Sequence, residues 1–252
     1  MACAKSERRI MAISDDQEME LLETTSETKR VAIGVILAAL YAVLAVLPLS
    51  AFIGAASIIS FAICIAPLFG IILGPVRGFG FGLIGAILAT ILLTVMPANI
   101  YLVIPTIILG PAIAGLFTGL MVHRKIKFGP LLTALYLFLI IILFVIPRPS
   151  AWIFMTPYIL ALVVALVLQF VGVEFDLTKV GVTKYLQILP YTFIGAMLDH
   201  SMMAMGSVYI LQLEASLFIG IFPLMVLERT IATVLAAILG WVVLTVLQGE
   251  LT

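Results

Sequence analysis

Charged residues are scarce in this chain and nearly missing from its long central part. Asp, Glu, Lys and Arg make up 10% of the 252 residues, whereas hydrophobic residues make up 64%. From Val31 to Leu247 the sequence is a series of apolar runs of about 20 residues, the length that a helix needs to cross a bilayer. A membrane β-barrel would show shorter segments of alternating polarity. The sequence therefore predicts an all-α, polytopic helical membrane protein.

Other absences exclude several kinds of chemistry. The two cysteines, Cys3 and Cys64, lie in a polar tail and in an apolar run, so a structural disulfide is not expected. The two histidines, His123 and His200, are too few for a metal site. The sequence has no Gly-x4-Gly-Lys-[Ser/Thr] phosphate loop and no His-Glu-x2-His motif. We therefore expect that this chain does not hydrolyse ATP, is not an enzyme and binds no cofactor. Because its net charge is zero, we also expect no nucleic acid partner.

The charged residues that remain predict a topology. Residues 1–30 form a polar, acid-rich tail, and residues 31–252 form the membrane domain. Pro, Gly and charged residues divide that domain into about eight segments. Their predicted bounds are 31–47, 57–73, 76–96, 100–122, 129–146, 151–171, 186–211 and 224–247. With both termini in the cytoplasm, eleven of the thirteen basic residues lie inside, as the positive-inside rule expects.

Small residues recur at every fourth position in several segments. Gly34, Ala38 and Ala42 form one such stripe in the first segment. Helices in lipid gain little from burying apolar groups, so close approach through small residues is a main means of association. The stripe can pack within the chain, or it can dock another subunit.

The order of these motifs resembles a family. The first span, RVAIGVILAALYAVLAVLP, is similar to the opening helix of substrate-binding (S) components of energy-coupling factor (ECF) transporters, with its Ala-x3-Ala motif. The stretch APLFGIILGPVRGFGFGLIGAIL resembles the Gly-Pro turn between that family's second and third helices. Residues 110–125 and 216–247 resemble its fourth and last helices. The family has six helices, so residues 129–171 are interpreted as an inserted helical hairpin.

The resemblance implies a function. Such a chain would capture a vitamin or related micronutrient at a prokaryotic cell membrane. It would work with a transmembrane coupling component and two cytoplasmic ATPases. By resemblance, Gly34, Ala38 and Ala42 would contact the coupling component. Two alternatives stay open: a stand-alone small-solute transporter or channel, and an intramembrane enzyme, although no catalytic constellation is found.

Ionisable residues inside the spans are the candidates for substrate binding. Asp199 and His200 lie near the middle of the seventh segment, and Glu228 and Arg229 lie about one turn into the last, near its outer end. A charge within a bilayer normally faces a partner or a cavity. We therefore expect Arg229 to reach Asp199, or Glu228 to reach His200, beside an outward-facing pocket to which Asn99 could contribute a hydrogen bond. The alternative is a buried ion pair that only fixes helix packing.

Overall fold

The computed structural model describes residues 27–47, 60–95, 104–123, 127–172, 175 and 181–249, and within them it is helical, without β-strands. The eight α-helices are α1 (Glu27–Ala45), α2 (Ala66–Leu73), α3 (Pro75–Val95), α4 (Ile104–His123), α5 (Gly129–Val145), α6 (Thr156–Phe170), α7 (Gly181–Tyr209) and α8 (Ala215–Gly249). Two 3-10 segments, Phe61–Cys64 and Pro149–Met155, precede α2 and α6. The all-α prediction is confirmed.

Five of the helical segments are long and apolar enough to cross a membrane. They are α1, α3, α4, the segment Pro149–Phe170 that contains α6, and α8. The apolar segments Phe61–Leu73 and Gly129–Val145 are shorter. The helix α7 has 29 residues but is the least apolar of the long helices, and it packs against α4, α6 and α8. A helix surrounded by other helices needs no continuous apolar surface toward lipid. The chain is a multi-pass helical membrane protein.

Contacts at one end of the bundle join residues that the topology predicts to be cytoplasmic. Glu27, at the start of α1, forms ion pairs with Arg30 of the same helix and with Arg77 at the start of α3. Nε2 of His123, the last residue of α4, lies 3.0 Å from the carbonyl oxygen of Ile71 in α2. The first four helices therefore alternate in direction as expected. Within the described part of the chain, residues 27–30 are helical and belong to α1.

At the opposite end, one arginine joins two loops. Arg148, between α5 and α6, donates from Nε to the carbonyl oxygen of Leu213 at 2.7 Å and from Nη2 to that of Gln212 at 3.2 Å. Both acceptors lie between α7 and α8. The hydroxyl of Tyr209, the last residue of α7, donates to the carbonyl oxygen of Leu143 in α5 at 2.7 Å. The α5–α6 hairpin is thereby tied to the α7–α8 connection at a common end.

The helices α2, α3 and α4 cross at glycines, so that their backbones touch. A Cβ atom placed on Gly78 would lie 2.9 Å from Cα of Gly70 and from the carbonyl oxygens of Phe69 and Gly115. The turn between α2 and α3 is made by Gly74, whose φ of +82° favours glycine. Pro75 follows as the first residue of α3, a position that suits its fixed φ. The small-residue seams of these helices pack within the chain.

The stripe of small residues on α1 is also buried. A side chain at Gly34 would collide with the ring of Phe81 in α3. Ala38 and Ala42 are buried, and Ala38 packs against Gly85 of α3. In this conformation the stripe therefore packs within the chain, and it is not accessible to another subunit. Contact of Gly34, Ala38 and Ala42 with a coupling component stays a prediction.

The last helix begins nine residues earlier than predicted, at Ala215 rather than at residue 224. Pro223, which directly precedes the predicted start, lies inside α8. Membrane helices tolerate an internal proline because neighbouring groups satisfy the freed carbonyl. Arg229 therefore lies about 21 Å along the axis from the start of α8, at 1.5 Å per residue, and not one turn from its outer end.

Candidate functional site

Asp199 of α7 and Arg229 of α8 face each other in the middle of the bundle. Nη1 of Arg229 lies 3.8 Å from Oδ2 of Asp199, and the side chains are 2% and 15% exposed, respectively. The prediction that Arg229 reaches Asp199 across the two helices is confirmed. Two opposite charges at this depth reduce the free energy that either would cost alone.

This ion pair leaves the guanidinium of Arg229 with unused hydrogen-bond donors. At 3.8 Å the contact with Asp199 is longer than a hydrogen bond. Within the described part of the chain, Nε and Nη1 are buried and have no hydrogen-bond partner. A buried donor without a partner costs about 1–3 kcal/mol. Such a group in a native fold calls for an explanation, and one explanation is a site where a ligand binds.

The pair borders a cavity of about 70 Å³. The cavity lies between α1, α3, α4, α7, α8 and the start of the Phe61–Cys64 segment, toward the end of the bundle away from Arg77. Its lining combines four polar or charged side chains beside Tyr41 with seven apolar ones. The lining residues are Tyr41, Ala45, Ser60, Ile63, Ala86, Ala89, Thr90, Leu93, Ile107, Asp199, Met203 and Arg229. On the predicted topology, this half of the bundle is the outer one.

Comparison with protein families, curated proteins and solved structures finds no match for this chain. The site is therefore interpreted from its own geometry.

His200, the neighbour of Asp199, points to a different place. Its Nδ1 lies 2.7 Å from the hydroxyl of Tyr158 in α6, and its ring packs against Phe154. Successive residues of a helix point about 100° apart, which separates His200 from the cavity that Asp199 lines. A parallel contact joins Ser201 to Tyr136 of α5 at 2.7 Å. These hydrogen bonds attach α7 to the α5–α6 hairpin, so their geometry fits a packing role for His200.

Of the other predicted site residues, Glu228 does not line this cavity among the described residues. Glu228 is buried in α8, next to Arg229. Asn99 lies outside the described residues. Of the five predicted substrate-binding residues, the structure therefore brings Asp199 and Arg229 to one cavity.

The sequence interpretation missed Tyr41, although a signal for it was present. Ala38, Tyr41, Ala42 and Ala45 have the spacing of one helix face. Once the small residues of that face pack on α3, the aromatic residue between them must be buried too. Tyr41 is 7% exposed, and Ala45 borders the cavity beside it. The helix period therefore identifies Tyr41, which carries a hydroxyl group, as a residue of the cavity wall. The sequence interpretation of this segment considered only its small residues.

Arg229 also borders a second cavity, of about 290 Å³, on the side of α6. Its other lining residues include Thr156, Pro157, Phe193 and Thr230. Arg229 thus lies between an inner cavity and one next to the α6 surface. A side chain in this place can contact a group from either side.

Gly110 makes room for Asp199. A Cβ atom on this residue of α4 would lie 2.8 Å from both the carbonyl oxygen and Oδ1 of Asp199. We expect Gly110→Ala to displace the carboxylate and to weaken by about tenfold the binding of a ligand that contacts Asp199, the worth of one charge-assisted hydrogen bond. Equilibrium titration of the folded fraction measures this effect.

The matched control for that substitution is Gly220→Ala in α8. A Cβ atom there meets nothing within 4 Å, so its affinity should equal that of the wild type. Equal affinities of Gly110→Ala and Gly220→Ala would show that the position of Asp199 is not critical for the ligand.

Proposed function

We propose that this chain is the substrate-capture component of an ECF-type importer for a vitamin or related micronutrient. It would lie in a prokaryotic plasma membrane with both termini in the cytoplasm. ATP hydrolysis would come from two partner ATPases, through a transmembrane coupling component. The chain itself would bind its substrate from outside and carry out no covalent chemistry.

The observation that carries this proposal is the buried pair of Asp199 and Arg229 beside a cavity. Unused donors on Arg229 provide a reason for a polar ligand to bind there. The mixture of a few polar groups with an apolar lining is typical of small-molecule sites. On the predicted topology, eleven of the thirteen basic residues lie on the cytoplasmic side, away from this cavity, which favours an outward-facing cavity.

A coupling component would reach the predicted contact of Gly34, Ala38 and Ala42 only past the accessible face of α1. In this conformation Val35, Ile36 and Val43 are more than half exposed, whereas the small-residue stripe is buried. A coupling helix that approaches α1 would meet this aliphatic face first. The face also suits lipid, so only an experiment with the partners separates the two roles.

Affinity purification of the tagged chain from its host is expected to bring down two ATPases and a coupling protein. Ile36→Trp should reduce the recovery of these proteins several-fold, because a bulky side chain would obstruct the accessible face of α1. Mass spectrometry of the eluate measures the partners and identifies any small molecule that the chain retains.

Leu160→Trp is the control, since Leu160 is similarly exposed, but on α6. Its recovery of partners should match that of the wild type. Transport of the bound molecule by this chain alone in proteoliposomes, without ATPases, would contradict the proposal and support a stand-alone transporter.

A further inference from the structure

We propose that the cavity at Asp199 and Arg229 recognises a neutral cis-amide edge. Such an edge carries a carbonyl oxygen and an N–H group on adjacent atoms, as in lactams, ureides and many heterocycles. This inference rests on the proposed function, and it names the chemical class of the substrate.

The hydrogen-bonding capacities of the two side chains define the edge. A guanidinium donates and cannot accept, whereas an ionised carboxylate accepts and cannot donate. A ligand group that satisfies both must therefore present an acceptor to Arg229 and a donor to Asp199. The buried Nε and Nη1 atoms supply two donors without partners among the described residues.

The spacing of the pair suits two parallel hydrogen bonds. Nη1 of Arg229 and Oδ2 of Asp199 are 3.8 Å apart. In a cis-amide the oxygen and nitrogen are about 2.2 Å apart, as follows from standard bond lengths. If the oxygen and nitrogen of the amide each form a hydrogen bond of about 2.9 Å and the two bonds diverge slightly, their far ends are about as far apart as Nη1 of Arg229 and Oδ2 of Asp199. One amide edge can thus bridge atoms that are too far apart to bond each other, once a small movement of the side chains uncovers Nη1, which is buried in this conformation.

Charge argues for a neutral group. A carboxylate ligand would pair with Arg229 but would be repelled by Asp199. An ammonium ligand would pair with Asp199 but would be repelled by Arg229. A zwitterion offers both partners, but two charges would have to leave water for a site where seven of the twelve lining residues are apolar. Desolvation of an ionised group costs far more free energy than desolvation of a neutral amide.

The size of the cavity limits what it encloses. Pockets that enclose a whole drug-sized ligand have volumes of roughly 300–1,000 Å³. A cavity of about 70 Å³ holds only a small polar group. The amide edge is therefore the part of the substrate that this pair binds, and the remainder of the molecule must be held outside the cavity.

The test uses five probes of similar size with the purified, folded protein in nanodiscs. They are quinazolin-4-one, 3-methylquinazolin-4-one, benzoate, phenylalanine and benzylamine, and ligand-observed NMR titration measures each affinity. We expect quinazolin-4-one to bind tightest. Its 3-methyl derivative, which lacks the N–H group, should bind at least about tenfold more weakly, the worth of a hydrogen bond to a charged acceptor.

Asp199→Asn tests whether Asp199 is the acceptor. The substitution keeps the shape of the side chain but removes its charge, so affinity for quinazolin-4-one should fall about tenfold while that for the 3-methyl derivative stays constant. The two quinazolinones compared on wild-type protein need no variant, so the inference can be tested even if Asp199→Asn does not fold.

Each outcome separates the inference from the proposed function. Stronger binding of phenylalanine, benzoate or benzylamine than of quinazolin-4-one would overturn the amide assignment, as would equal binding of the two quinazolinones or no binding at all. Recovery of the ATPases with the tagged chain would leave the proposed function standing in all of those cases. Absence of the ATPases would count against the importer but not against the measured ligand class.

Discussion

Replacement of Arg229 by Met is expected to abolish substrate binding and to destabilise the protein. Met keeps an unbranched apolar stem but removes the guanidinium, so the carboxylate of Asp199 loses its ionic partner. Removal of one partner from a buried ion pair costs about 3–5 kcal/mol of stability. The ligand also loses the donors of Arg229. Thermal unfolding in detergent measures the stability, and equilibrium titration of the substrate that co-purifies with the wild type measures the affinity.

A double variant separates binding from packing. Asp199→Leu together with Arg229→Met replaces the charged pair by apolar side chains of similar shape. Replacement of a buried ion pair in this way is often neutral or stabilising by about 1–4 kcal/mol. We therefore expect the stability to return to the wild-type level while binding stays abolished. Wild-type affinity in the stable double variant would show that the pair only fixes the packing of α7 and α8.

Gly78→Ala is expected to have the second large effect, a loss of stability that prevents much of the protein from folding. The added methyl carbon would lie 2.9 Å from three backbone atoms, on Phe69, Gly70 and Gly115. Backbone atoms cannot move aside by a change of rotamer, so α2 or α4 would have to shift. Overpacking typically costs about 1–3 kcal/mol, and more where the structure cannot yield. The melting temperature and the monodisperse fraction in size-exclusion chromatography measure the loss.

Gly80→Ala is the matched control, two residues further along the same helix. A Cβ atom on Gly80 meets nothing within 4 Å. Alanine is favoured over glycine inside a helix by roughly 0.5–1 kcal/mol, so this variant should be as stable as the wild type or slightly more stable. Equal stability of the two alanine variants would mean that α3 does not cross its neighbours as closely as described.

The sequence predicted the helical class and several helix bounds well. Segments 76–96 and 100–122 correspond to α3, Pro75–Val95, and α4, Ile104–His123. A Gly-Pro pair and a basic cluster mark the ends of these two helices that the topology predicts to be cytoplasmic, and such signals act locally. The bounds of α8 could not be predicted in the same way. Pro223 breaks an isolated helix, but here the surrounding bundle accommodates it, and that is a tertiary effect.

The site was half predictable for a related reason. Charges inside a membrane need partners, so the sequence predicted that Arg229 pairs with Asp199 or Glu228 with His200, but it did not decide between these pairs. Which neighbour faces the cavity depends on the rotation of each helix about its axis. A change of 100° exchanges Asp199 for His200, and no rule that uses sequence distance fixes this angle. The contribution of Asn99 to the pocket stays a prediction.

Arg148 has a mechanical consequence for the bundle. Its guanidinium bonds to carbonyl oxygens of Gln212 and Leu213, and hydrogen bonds with a charged donor are roughly twice as strong as neutral ones. A displacement of α8 near this end would therefore also displace the α5–α6 hairpin, unless the hydrogen bonds of Arg148 break. The hydrogen bonds of Arg148 thus connect the α5–α6 hairpin to the segment that leads into α8, the helix that carries Arg229.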